Sequence, residues 1–137
     1  MEAVIQSIIS GAPVLVLHLV TTFAILIAGM GVYMWITPYE DVRLVREGNT
    51  AAAVALGGAF LGLAIPLAGT LAGSVTALDI LLWGILTVIV QLICFRVVDL
   101  VLRGLPRRIA AGELAAAILL ASVKVSAGAI VATAVTR

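Results

Sequence analysis

Residues 50–73 read TAAAVALGGAFLGLAIPLAGTLAG, with no charged side chain among them. Crossing a hydrocarbon core of about 30 Å takes roughly 20 consecutive apolar residues in helical form. Lipid offers no partners to backbone N–H and C=O groups, so a helix is the expected conformation. Three more such stretches lie on either side. Pro13 to Ile36 is broken only by His18 and two threonines, Leu78 to Leu102 carries Arg96 and Asp99 near its far end, and Leu114 to Thr136 carries Lys124 near its middle. A β-barrel would show short alternating segments, and these runs are continuously apolar.

The expected architecture is therefore an all-α polytopic membrane protein with one domain over residues 1–137. Its spans are expected at about 13–36, 50–73, 78–102 and 114–136, with short cytoplasmic helices at about 38–47 and 106–111. Composition agrees: 64% of the 137 residues are hydrophobic and 11% charged. Soluble domains carry roughly 45–50% and about 25%. A net charge of +1 makes no case for nucleic-acid binding. Met1-Glu2-Ala3-Val4 lacks the basic start of a secretory signal.

Arginines orient the chain. Arg43 and Arg46 lie between the first two spans, and Arg103, Arg107 and Arg108 between the last two; Ser74 to Ala77 carries none. The positive-inside rule places both arginine loops in the cytoplasm and both termini outside. The two halves also resemble each other. Arg43 to Ala53 (RLVREGNTAAA) and Arg107 to Ala117 (RRIAAGELAAA) share Arg, Gly and a triple Ala at a constant offset. Since spans one and three both start outside, the reading is two hairpins related as a parallel repeat, with a pseudo-two-fold axis along the membrane normal.

The loops carry helix signals. Thr37-Pro38-Tyr39-Glu40 reads as a capping box with Pro at the first helical position, and Asp41 suits the positive helix end. Arg43 can meet Glu40 and Glu47 at helical spacing. Gly48 fits a helix stop and Asn49 a cap. Leu105-Pro106 to Gly112 repeats the pattern more simply. Arg43, Arg46, Arg107 and Arg108 are candidate contacts for anionic headgroups or a cytoplasmic partner; ordinary polar turns that only set topology are the alternative. Thr76 to Asp79 is a capping box for span three. Trp35 and Tyr39 read as interface aromatics.

Within the spans, Gly58, Gly62, Pro66, Gly69 and Gly73 form one stripe of close helix approach, with Gly58 and Gly62 as a GxxxG pair. Pro66 cannot donate to the carbonyl of Gly62, which predicts a kink. Helix packing and a pore-lining break both fit. Span four offers a small face at Ser122, Ser126, Ala129 and Thr133. Gln91 is expected to hydrogen-bond between helices. A lysine at mid-membrane costs about 2.5–3.5 kcal/mol on insertion scales. Lys124 leans toward the cytoplasm and Asp99 outward, so the two can approach in depth, with Arg96 competing for Asp99 from three residues away. Lys124, Asp99 and Arg96 are thus a candidate intramembrane polar site, against a snorkelling or structural lysine.

Chemistry-bearing motifs are absent. There is no Gly-rich phosphate loop, no GxSxG, and no paired His and carboxylate at metal spacing. Cys94 is the single cysteine, which allows no internal disulfide, and His18 is the single histidine. The expectation is a protein that is not an enzyme and takes no cofactor or metal. His18, near the outer end of span one, reads as an interfacial or packed histidine, with a proton relay as the alternative.

At Thr37-Pro38-Tyr39 and Arg46-Glu47-Gly48-Asn49-Thr50-Ala51-Ala52-Ala53 the chain resembles the domain of unknown function 350 (YjfL-like) family of bacterial inner-membrane proteins. Leu56-Gly57-Gly58, Ile65-Pro66-Leu67-Ala68, Asp79 with Leu82-Trp83-Gly84, and Arg108 to Ala116 extend the likeness over nearly the whole chain. The resemblance implies a four-helix inner-membrane protein with a duplicated hairpin. It supplies no activity and no site residues. Lys124 falls outside the pattern, as does Gly128 to Ala132, where members often carry Asn.

The leading functional expectation is a small bacterial inner-membrane protein that self-associates and acts in envelope homeostasis or membrane-stress response. Four short helices leave little room for a solute path, and small-residue stripes favour association. The runner-up is an ion or small-solute channel or transporter with a path within or between subunits, lined by Lys124, Asp99, Arg96 and the Gly62–Pro66 break. A third reading is an adaptor recruiting cytoplasmic partners. The expected partners are the lipid bilayer and further copies of the chain.

Overall fold

A computed structural model describes residues 1–38 and 40–136. Tyr39 and Arg137 lie outside the described residues, and with them the interface role read for Tyr39. Six helices follow one another: α1 (Glu2–Ile36), α2 (Asp41–Arg46), α3 (Thr50–Gly73), α4 (Ala77–Val101), α5 (Leu105–Ala110) and α6 (Leu114–Val135). No strand occurs among the described residues. Helices α1, α3, α4 and α6 are each long and apolar enough to cross a membrane. The chain is an all-α polytopic membrane protein. Its outward face is greasy, with Ile27, Ile93 and Ile130 each more than half exposed. Such a surface suits lipid as solvent and not water.

Helix α1 begins at Glu2, well before Pro13, and runs through that proline. Residues 1–17 are exposed, so no neighbouring helix crowds the turn that lacks the proline N–H. At 35 residues and 1.5 Å per residue, α1 is longer than the hydrocarbon core is thick.

Close approach of α3 and α6 organises the bundle. A Cβ at Gly58 would lie 2.5 Å from the Cβ of Ala121, one at Gly69 2.8 Å from the carbonyl O of Ala132, and one at Gly128 2.7 Å from the carbonyl O of Gly62. Only hydrogen-sized substituents fit, and van der Waals contact between backbones is what holds helices together in lipid. The Gly62 carbonyl is the one that Pro66 cannot serve, and Gly128 packs beside it. Helix α3 continues unbroken through Pro66.

The contact face of α6 differs from the one read in the sequence. Ser122, Ser126, Ala129 and Thr133 are exposed, while Ala117, Ala121, Lys124 and Gly128 are buried against the bundle. The serine and threonine hydroxyls donate within the helix, to the carbonyls of Ile118, Ser122 and Ile130. That satisfaction lets them face lipid.

Both arginine loops end in the same turn. Gly48 and Gly112 have φ of 85° and 91°. Asn49 N–H donates to Leu44 O and Gly48 N–H to Val45 O, and Glu113 N–H and Gly112 N–H do the same to Arg108 O and Ile109 O. These are Schellman closures of α2 and α5, and a positive φ makes glycine the fitting residue at each. Asn49 then ties the loops together. Its Oδ1 accepts from Ala52 N–H at 2.9 Å, while its Nδ2 donates to the carbonyls of Ile109 and Ala110 at 3.2 and 3.1 Å. Leu105 and Ile109 of α5 pack on the alanines at the starts of α3 and α6.

The capping box at the start of α2 does not form. Thr37 closes α1 instead, its hydroxyl donating to Tyr33 O at 2.7 Å, and α2 starts only at Asp41 with Glu40 as an N-cap that makes no side-chain bond. The β-hydroxyl reaches a carbonyl four residues back more readily than an amide across the Pro38 bend. Thr76 does cap α4, accepting from Asp79 N–H at 3.1 Å, and Asp79 accepts from Val75 N–H.

Candidate functional site: a buried ion pair

Helical leverage brings the charged residues together. Lys124 leaves the middle of α6 on its buried face, and its side chain leans toward the arginine-loop end, as helical side chains lean toward their N-terminus. Asp99 leaves the last turn of α4. The Lys124 Nζ lies 3.3 Å from Asp99 Oδ1, with side-chain exposures of 1% and 13%.

Two aromatic rings and a hydroxyl complete the ammonium's surroundings. Lys124 Nζ donates to Tyr33 Oη at 3.0 Å. It also stands 4.7 Å from the Tyr33 ring centroid and 5.0 Å from that of Phe95. The rings meet edge to face, with centroids 5.7 Å apart. Cation–π attraction strengthens when water is excluded, so both faces help to solvate the charge. Gly62 forms the wall opposite Phe95: a Cβ there would sit 2.7 Å from the Phe95 ring and 2.9 Å from the Lys124 carbonyl O. Helices α1, α3, α4 and α6 therefore all contribute.

Asp41, from the short α2, is a second carboxylate in this region. It is 2% exposed, and neither carboxylate oxygen reaches a hydrogen-bond partner on another residue. Burial pushes its carboxyl up to about 6; its own backbone N–H and the charge of Lys124 offset part of that, and the charge of Asp99 adds to it.

Polar groups continue away from the pair along one face of α4. Gln91 is fully buried, and both its amide atoms lack a hydrogen-bond partner, so the interhelical bond expected of it is not made. One turn further, Thr87 Oγ1 and Thr70 Oγ1 are 2.9 Å apart, both buried, and Ser74 donates to Thr70 O. At the other end a groove of about 590 Å³ opens at the arginine-loop face, lined by Pro38, Asp99, Arg103, Gly104, Pro106, Arg107 and Ala110. Asp99 thus has the buried lysine on one side and an arginine-lined mouth on the other.

Arg96 is not part of this pair. It projects from the exposed side of α4, and Asp99 pairs with Lys124. Arg43, Arg46, Arg107 and Arg108 are all exposed on the loop face. Arg43 bridges Glu40 at 3.2 Å and Glu47 at 3.8 Å. Arg108 makes a two-pronged bond to Glu113, which holds the Glu113 carboxyl below its ordinary range and raises the arginine. Gly58, Gly62 and Pro66 are buried packing positions. Tyr33, Phe95 and Asp41 were not singled out by sequence as members of the site. The sequence read Asp41 only as a charge suited to the positive end of a short helix, next to Glu40.

No group of three or more His, Cys, Asp or Glu residues suited to a metal occurs among the described residues. An ammonium, two carboxylates and a phenol can exchange protons or compensate a passing charge.

The chain is 30% identical over 105 residues to the UPF0719 inner membrane protein YjfL of Escherichia coli (strain K12), covering 77% of this chain and 80% of that protein. The YjfL protein of Escherichia coli O157:H7 shows the same identity and coverage. Among solved structures none matches. A sequence profile described as Domain of Unknown Function (DUF350) matches residues 7–135. The chain belongs to the Domain of Unknown Function (DUF350) family.

Proposed function

We propose that the protein is a bacterial inner-membrane conduit for an ion or small charged solute, and not an enzyme, with Lys124 and Asp99 as its charge-bearing element. The inner membrane is the compartment named for the Escherichia coli relatives, and the arginine loops would face the cytoplasm by the positive-inside rule. One observation carries the reading: an ammonium 1% exposed, paired at 3.3 Å within the helix bundle. Well-packed apolar residues stabilise a core as well as a buried ion pair does, or better. Charges retained inside a membrane bundle mark ion or proton pathways. The unpartnered Gln91 amide and the Thr70–Thr87 pair extend the polar file beyond the pair.

Proteoliposomes under proton, sodium, potassium and anion gradients test it. Flux that disappears in Lys124→Met, while helicity and elution volume are kept, is the expected result. Vesicles that stay sealed under every gradient would remove the reading.

Self-association, with a role in envelope homeostasis or membrane stress, is a second reading. It is supported by Ser122, Ser126 and Thr133 facing outward from α6, where small residues would let a second copy approach. It would also repeat between copies the close approach that α3 and α6 make within one, in keeping with a duplicated hairpin. Cross-linking in native membranes at Ser126→Cys tests it; monomer alone would exclude that face.

A further inference from the structure

Two carboxylates, Asp99 and Asp41, lie within electrostatic reach of the Lys124 ammonium. Asp99 takes the ammonium at 3.3 Å. Asp41 is then left 2% exposed with neither oxygen partnered on another residue. A buried carboxylate in that position normally recruits a partner or becomes neutral. Among the described residues, no neighbouring element supplies a free countercharge. Helix α3, on which α2 packs, has no titratable residue between Thr50 and Gly73. From α1 comes the Tyr33 hydroxyl, which accepts from Lys124. Helix α4 offers Asp99, another anion, while Arg96 projects to its exposed side; Arg107 and Arg108 on α5 are exposed, as are Arg43 and Arg46 on α2 itself. From α6 comes Lys124 alone.

We infer that Asp41, Asp99 and Lys124 together form a binding site for a single proton, with the Asp41 carboxyl as the group that takes it. The charge count selects a monovalent cation: two anions and one cation leave one negative charge to neutralise. The ligand count selects a proton over a metal ion. Hard metal ions gather about six oxygen ligands, and no three-residue ligand cluster occurs among the described residues. A proton needs one oxygen. Uptake takes a proton from hydronium, forms an O–H bond on one Asp41 oxygen and leaves water; release reverses the step. Burial already moves the carboxyl up to about 6, so the site would change occupancy near neutral pH. The inference deepens the conduit reading, naming its ion, and rests on that reading for purpose but not for chemistry.

Infrared difference spectroscopy of the full chain in nanodiscs, titrated from acidic to alkaline pH, tests it. The carbonyl-stretch band of a buried protonated carboxyl should disappear with a midpoint near 6. It should be absent in Asp41→Asn and kept in Asp79→Asn. Lys124→Met should move the midpoint upward, because the opposing positive charge is gone. Should Asp41→Asn fail to fold, Asp41→Glu must keep the band at a displaced midpoint. A wild-type protein with no such band, or one unchanged in Asp41→Asn, overturns the inference. So does a midpoint that falls as sodium replaces choline at constant ionic strength, which would identify a metal-cation site. Flux of the same protein in proteoliposomes separates the two readings: a titrating Asp41 in vesicles that stay sealed ends the conduit reading alone, and flux without the band ends this one alone.

Discussion

Lys124 and Asp99 form an ion pair from α6 and α4 at 3.3 Å, buried to the extent that only 1% of the lysine side chain is exposed. Because the pair is desolvated, its two members are not equivalent to two independent surface charges. Removing one partner from a buried pair costs about 3–5 kcal/mol, whereas replacing both by apolar residues of similar volume is often neutral or stabilising by about 1–4 kcal/mol. Asp99→Asn should therefore be much less stable than the double variant Lys124→Met, Asp99→Leu. Thermal unfolding of both in one detergent decides this. A double variant as unstable as the single one would mean the pair itself holds the bundle together.

Tyr33→Phe removes the acceptor 3.0 Å from the ammonium and leaves the ring that lies 4.7 Å away. Hydrogen bonds to charged groups contribute about 1.5–3 kcal/mol. A loss in that range is expected in the same unfolding assay, while Phe95→Leu should lose less, since only the ring face is removed there.

Packing of α3 on α6 makes a prediction with opposite outcomes on two faces of one helix. Gly128→Ala places a Cβ 2.7 Å from a backbone oxygen that cannot step aside. A cost of about 1–3 kcal/mol follows for such overpacking. Ser122→Ala and Ser126→Ala, on the exposed face, should change monomer stability by about 0.5 kcal/mol or less. Equal effects on both faces would contradict the packing described.

The Asp41 carboxyl predicts a pH dependence whose sign is opposite to that of a salt-bridged aspartate. Its folded value, about 6, lies above the ordinary value of 3.8. The folded state therefore binds more protons between those values, and stability falls as pH rises through that window and levels off above it. Asp41→Asn should match the wild type at pH below the window and exceed it above. Melting temperatures across the range check this, and a wild type that gains stability over the same interval would reverse the sign.

Asn49→Asp should separate the two jobs of that side chain. It keeps the acceptor for Ala52 N–H and loses both donations to the carbonyls of Ile109 and Ala110. Hydrogen exchange should rise at Ala111 and Gly112 and stay slow at Ala52. Asn49→Ala should speed both, losing about 1 kcal/mol for the cap alone.

Much of the architecture was legible in the residue order. In lipid the backbone must satisfy its own hydrogen bonds, so the length of an apolar run alone dictates a spanning helix, and α3, α4 and α6 begin and end close to where their runs do. Gly48 and Gly112 marked their turns because a left-handed backbone favours glycine. Asn49 and Thr76 announced their caps by their short oxygens. The start of α2 was misplaced because Thr37 had two carbonyl and amide partners to choose between, and only the Pro38 bend decided.

What the amino-acid order determined by itself was the number of spans and the presence of Lys124 and Asp99 inside them, since both follow from local composition. What only the tertiary structure decided was facing. A helix apolar all round has no polar side to betray its orientation, so nothing local distinguished the Ser122 and Ser126 side of α6 from the Ala121 and Gly128 side. The choice came from where glycines on α3 allow two backbones to touch. That choice turned Lys124 inward toward Tyr33 and Phe95, and the docking of α2 buried Asp41 within its electrostatic reach.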